Sequence, residues 1–128
     1  MTAPTLPEFL LARISEDEAV ATRAVGSAWH LEPDEGGVTD VMAGSGIVMP
    51  VTVTTANDHD AFHIARHDPA RVLAECEAKR RIVALHHLDE DRETGLCIED
   101  AFTYPCETLR WITLPYASHP DYNPDWRP

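Results

Sequence analysis

The chain has 128 residues, 44% of them hydrophobic, and sets 22 acidic side chains against 10 basic ones for a formal charge of -12. That size leads us to expect one domain, spanning residues 1–128, with one modest core. The charge repels phosphate backbones and anionic lipid, which argues against direct binding of nucleic acid or a membrane surface.

The first element reads as a helix over about residues 6 to 25. Thr5 and Glu8 have capping-box spacing, Pro7 is tolerated in a first turn, and Phe9, Leu10, Ile14 and Ala21 recur near helical spacing until Gly26. Glu16, Asp17 and Glu18 then fall on a solvated face. From Ala28 to Thr54 the texture changes to the short β-rich runs AWHLE, VTDVMA and IVMPVTVT, separated by PDEGG and GSG. This pattern predicts a three-stranded antiparallel meander. Pro50, inside the third run, calls for an edge strand or a bulge, and Gly44-Ser45-Gly46 reads as a hairpin turn rather than a phosphate cradle.

Residues 56 to 67 read as a short helix. Asp68-Pro69 restarts the chain with an N-cap residue followed by Pro at the first helical position, opening a second long helix to about His86. Val72, Cys76, Val83 and His86 share a stripe of that helix, and Lys79, which interrupts it, has to reach its charge outward. Thr108 to Leu114 predicts a final helical turn or two, closed by Pro115. The tail 115–128, with its repeated prolines, is expected to be irregular, with Tyr122 and Trp126 packed back on the body.

The loop between these last helices is too long and polar for a plain connector. His86-His87 ends one helix, Cys97-x-x-Asp100 lies in the loop, and Cys106 opens the next element. The segment 86–106 thus has the order and spacing of a small metal knuckle. Thiolate, imidazole and carboxylate are ligands that zinc accepts, and a closed four-ligand set is structural rather than catalytic. The candidate ligands are His86, Cys97, Asp100 and Cys106, with His87 an alternative to His86. Metal binding of this kind contributes on the order of 10 kcal/mol in small peptides, enough to organise a loop that buries little apolar surface. Cys76 cannot join this set together with His86, because ten residues of helix separate them by roughly 15 Å. It reads as a small core residue.

The segments HIARHDPARVLAECEAKRRIVALH (63–86) and YPCETLRWITLPYASHPDYNPDWRP (104–128) resemble a family of small actinobacterial and actinophage proteins known only as a domain of unknown function. In that family a helix containing EAKR ends in His, a Cys-x-x-Cys follows, and PC-x-TLR precedes a tail of the HPDY type. The resemblance implies a zinc knuckle at His86, Cys97 and Cys106, with Asp100 standing at the second cysteine of the family's pair.

Other candidates are less specific. His59, His63 and His67 recur every four residues and would line one helix face, where Asp58 or Asp60 could complete a metal site. No Glu is spaced as in HExxH, so a structural role is the simpler reading. The basic cluster Arg66, Arg71, Lys79, Arg80 and Arg81 is most simply paired with Glu75 and Glu77 at helical spacing. No nucleophile elbow, Walker loop or dinucleotide fingerprint is present. The N-terminus lacks the basic start and apolar core of a secretory signal, and an odd number of cysteines favours thiols or metal ligands over disulfides. The expected location is therefore the cytoplasm.

The resulting expectation is an α+β fold, with helices packed on a small three-stranded antiparallel sheet and a C-terminal zinc-knuckle-like loop. The leading function is a non-catalytic accessory or protein-interaction protein with an unidentified protein partner. The alternatives are an acidic mimic that occupies a nucleic-acid-binding protein and a small metal-dependent hydrolase built on the 59–67 histidines.

Overall fold

The computed structural model describes residues 2–24, 26, 28–33, 39–43, 51–55 and 57–128. Its elements in chain order are α1 (Leu6–Arg23), β1 (Trp29–Pro33), β2 (Thr39–Ala43), β3 (Val51–Thr55), α2 (Asp58–Arg66), α3 (Pro69–Leu85) and α4 (Glu107–Thr113), followed by 3-10 turns at Leu114–Tyr116 and Pro124–Trp126. This is an α+β fold. The described residues cluster into two compact units, residues 17–75 and residues 1–16 with 76–128.

In the 17–75 unit the strands pair in the order β1-β2-β3, all antiparallel. Leu31 stands opposite Val41, and Val41 opposite Val53. Because alternate side chains of a strand share a face, Thr39, Val41 and Ala43 line one side of β2, and all three are buried. The helix that lies against all three strands is the short α2. Its placement rests on one local bond and one long-range bond. Asn57 caps it, accepting from the backbone N–H of His59 at 2.8 Å, and Asp58 takes a short hydrogen bond from the hydroxyl of Thr39 on β2. Ala61 then buries completely.

β3 is an edge strand of this sheet, and a bulge interrupts its pairing between Val41 and Met42. Pro50, the PDEGG turn beyond Pro33 and the Gly44-Ser45-Gly46 turn lie outside the described residues.

In the other unit the core is built from the start of α1, the end of α3, α4 and the tail. Leu6, Phe9, Leu10 and Ile14 are buried, as are Cys76, Val83, Leu109, Tyr122 and Trp126. The helix start follows the capping-box spacing: the backbone N–H and the hydroxyl of Thr5 both donate to Glu8 Oε2 at 2.8 Å. These bonds hold the Glu8 carboxyl below its ordinary range. Glu16 is exposed, as a solvated face requires, but Asp17 and Glu18 are half-buried.

The tail is more ordered than its prolines foretold. Asn123 caps the second 3-10 turn by accepting from the N–H of Asp125. Tyr122 and Trp126 pack against Phe9, with ring centroids 6.0 and 5.2 Å away, and meet each other edge-on at 5.6 Å. Lys79 does not extend freely outward. Its ammonium donates to the Tyr116 hydroxyl at 3.1 Å and stands 5.0 Å from the centre of that ring.

Candidate metal centre

α3 delivers His86. Its backbone N–H still bonds to the Ile82 carbonyl at 3.0 Å, so the residue continues the last helical turn. The chain after it folds into a small ladder. Leu88 pairs with Cys97, and Leu96 with Thr103, both antiparallel. The bonds that close this ladder run from Asp89 N–H to the Leu96 carbonyl, from Ile98 N–H to that of His87, and from Cys97 N–H to that of Phe102, each 2.8 Å. The turn between Cys97 and Phe102 is tight. Ala101 N–H reaches back to the Cys97 carbonyl at 3.0 Å, with Ala101 in the left-handed region at φ 58°. Asp100 closes the turn by accepting from Phe102 N–H through Oδ1 at 3.0 Å. Its other oxygen, Oδ2, stands 3.4 Å from Nδ1 of His86.

Cys106 arrives from the far side as the N-cap residue of α4, in extended conformation and without a side-chain capping bond. Both sulfurs are buried, Cys97 at 1% exposure and Cys106 at 0%. Cys97 Sγ lies 3.5 Å and Cys106 Sγ 3.4 Å from the same His86 Nδ1. One ligand atom from each of His86, Cys97, Asp100 and Cys106 falls within 4.8 Å of the other three.

These distances discriminate between two explanations. A ring nitrogen has one proton or one lone pair, so hydrogen bonding does not account for three polar neighbours around Nδ1. Four donors around a tetrahedral zinc, with bonds of about 2.0 to 2.3 Å, lie roughly 3.3 to 3.8 Å from one another. The three contacts of His86 Nδ1 have this spacing, and the widest pair needs to close by only about 1 Å. The residues fit a four-coordinate ion.

Electrostatics point the same way. Without an ion, burial pushes the Cys106 thiol up to about 11; neighbouring Asp100 and Cys97 add to the shift, and the Leu109 N–H opposes it. Asp100 is held below the usual carboxylate range, first by the Phe102 N–H and further by the two thiols and His86. The Cys106 thiolate is thus unfavourable as a bare anion, and a bound cation reverses that preference. Two thiolates, one carboxylate and a neutral imidazole carry the same formal charge as a Cys3His set.

Arg110 braces the start of α4, donating from Nε to the Pro105 carbonyl at 3.1 Å and from its guanidinium to the Asp125 carbonyl at 3.0 Å. The sequence offered no signal for this clip, because an arginine's partner carbonyls have no residue identity.

The remaining candidates separate from the cluster. His87 is exposed, with Nδ1 3.1 Å from the Leu88 carbonyl. Cys76 is buried and directs its sulfur to the Ile14 carbonyl at 3.8 Å. His63 and His67 stack with centroids 4.5 Å apart, and His67 donates from Nδ1 to the His63 carbonyl at 2.8 Å. Among the described residues, His59, His63, His67, Asp58 and Asp60 form no group of three convergent ligands; the one such group is the His86 cluster. Two members of the basic cluster pair as their spacing predicts, Arg71 with Glu75 at 2.7 Å and Arg81 with Glu77 at 2.8 Å, whereas Lys79 and Arg80 donate to the hydroxyls of Tyr116 and Ser15.

Fold and cluster together define a small α+β protein with a Cys2HisAsp group, its two thiols buried, that could hold a metal ion. The chain belongs to the family of unknown function DUF6221, which it matches over residues 3–128. No curated protein and no solved structure matches it. No helix among the described residues is long and apolar enough to cross a membrane.

Proposed function

We propose that the protein is a non-catalytic accessory protein, acting as one domain through a protein partner, and that a structural zinc ion held by His86 Nδ1, Cys97, Asp100 and Cys106 organises its C-terminal half. The observation that carries the zinc reading is the set of three 3.4 to 3.5 Å contacts around a single imidazole nitrogen. Zinc is the ion that this donor set and tetrahedral spacing suit, since soft thiolates disfavour magnesium and calcium. A site filled by four protein side chains has no open position for substrate, which is why the role is structural rather than hydrolytic.

The partner is a protein because the charge of -12 works against nucleic acid and anionic lipid alike. The cytoplasm is the fitting compartment, since ligating thiolates must stay reduced. Cobalt substitution tests the centre. A purified chain refolded with Co(II) should show sulfur-to-metal charge transfer and tetrahedral d–d bands that zinc then bleaches. An octahedral spectrum without a thiolate band would refute the assignment.

A further inference from the structure

Among the described residues, large apolar side chains are exposed around the knuckle more than elsewhere: of the eight such residues described, Leu85, Leu88, Ile98, Phe102 and Trp111 lie between positions 85 and 111. Two of them have a defined relation to the metal centre. Leu88 is directly opposite Cys97 in the ladder, and the Leu96–Thr103 pairing puts Phe102 opposite Cys97 on its other side. Leu88, Cys97 and Phe102 thus form one row of backbone across the ladder, with Cys97 buried in the middle and apolar side chains 37% and 68% exposed at its flanks.

Phe102 is held there rather than left loose. Its N–H is tied to Asp100 and its carbonyl to Cys97. An exposed apolar group on a backbone fixed at both ends loses little entropy on being covered, which suits a binding anchor. The surrounding charge states what would cover it. Between Asp89 and Glu99 five carboxylates stand against Arg92 alone, and Arg92 is already 3.6 Å from Asp89.

We infer that this row is a docking surface for a basic amphipathic segment of a partner protein, one that sets an aliphatic or aromatic side chain between Leu88 and Phe102 and Lys or Arg against the acidic rim. The inference deepens the accessory-protein reading and rests on it. A second copy of the chain is disfavoured as the occupant because it would bring the same acidic rim against its like.

The test uses the zinc-loaded full chain and a synthetic 14-residue amphipathic Leu/Lys peptide as probe, with its Leu/Glu counterpart as control, titrated by fluorescence anisotropy at about 0.15 M salt. Phe102→Ser and, separately, Leu88→Ser should each weaken peptide binding about tenfold or more, as loss of an anchor does. Phe62→Ser, which removes a phenylalanine 57% exposed in the other unit, should not, and the Glu peptide should not bind. Equal effects of Phe102→Ser and Phe62→Ser, or binding that depends on salt alone, would overturn the surface. Zinc content is read on the same samples. A zinc-loaded protein indifferent to Phe102 sinks the docking surface alone, whereas a zinc-free protein that still depends on Phe102 sinks the metal reading and supports the surface.

Discussion

Cys106 Sγ stands 3.4 Å from Nδ1 of His86, across 20 residues of chain. One residue opens α4 and the other ends the run of α3, so an ion between them ties two helices and the loop that joins them. Cys106→Ser and Cys97→Ser should therefore each release the metal and cost several kcal/mol of unfolding free energy, since structural zinc binding is itself folding energy. Cys76→Ser, which only places a hydroxyl in the core, should cost about 1 to 3 kcal/mol and leave the metal bound. Denaturant unfolding with and without a chelator separates the two: the chelator should erase most of the difference between wild type and the knuckle variants, and none of the effect at Cys76.

Asp100 is the candidate ligand whose replacement is most informative. Asp100→Cys completes Cys-x-x-Cys and should retain zinc against a competing chelator better than the natural chain. Asp100→Ala should lose at least the 10 to 100-fold in affinity that even an outer-shell partner is worth. A chromophoric chelator competition reads both.

The pH dependence has a definite sign. In the metal-free chain Cys106 is pushed up to about 11 by burial, so zinc must displace a tightly held proton. Apparent zinc affinity should rise with pH, by up to about tenfold per unit for each thiol proton released. At the other end of the scale, Glu8 is lowered by its bonds from Thr5. Its contribution to stability is present above the ordinary Glu range and is lost as pH falls through the folded value. Glu8→Gln should narrow the difference in melting temperature between pH 7 and pH 3 by a small amount.

Much of this was legible in the sequence, for identifiable reasons. The starts of α1 and α3 carry local cap chemistry in Thr5, Glu8 and Asp68-Pro69, and β3 is a run of Val and Thr only. Capping and β-branched runs are properties of adjacent residues, so a sequence displays them. That α2 is the helix lying on the sheet was not legible, because it depends on a long-range bond between Thr39 and Asp58. The choice of His86 over His87 was open for a related reason. Neighbours on a helix point about 100° apart, and only the path of the following ladder decides which of them faces the thiols. Asn123-Pro124 is a local signal for the turn that orders the tail, whereas repeated prolines by themselves point to irregular chain.

That tail supplies a separate test. Trp126→Ala removes the partner of Phe9 and Tyr122 and should destabilise by about 3 to 5 kcal/mol, as aromatic deletions in cores do. Metal stoichiometry should be unchanged in the folded fraction.

No salt-sensitive binding to duplex DNA is expected near physiological ionic strength, because counterion release needs several cationic contacts and the Arg71 and Arg81 side chains are already paired. An anisotropy titration over a range of salt checks this.

The most direct measurement is elemental analysis of the untagged, dialysed chain together with thiol alkylation in the folded state. The account expects about one zinc per chain, with Cys97 and Cys106 protected from alkylation until a chelator is added. A folded protein free of zinc, with both cysteines alkylated as readily before chelation as after, would contradict it.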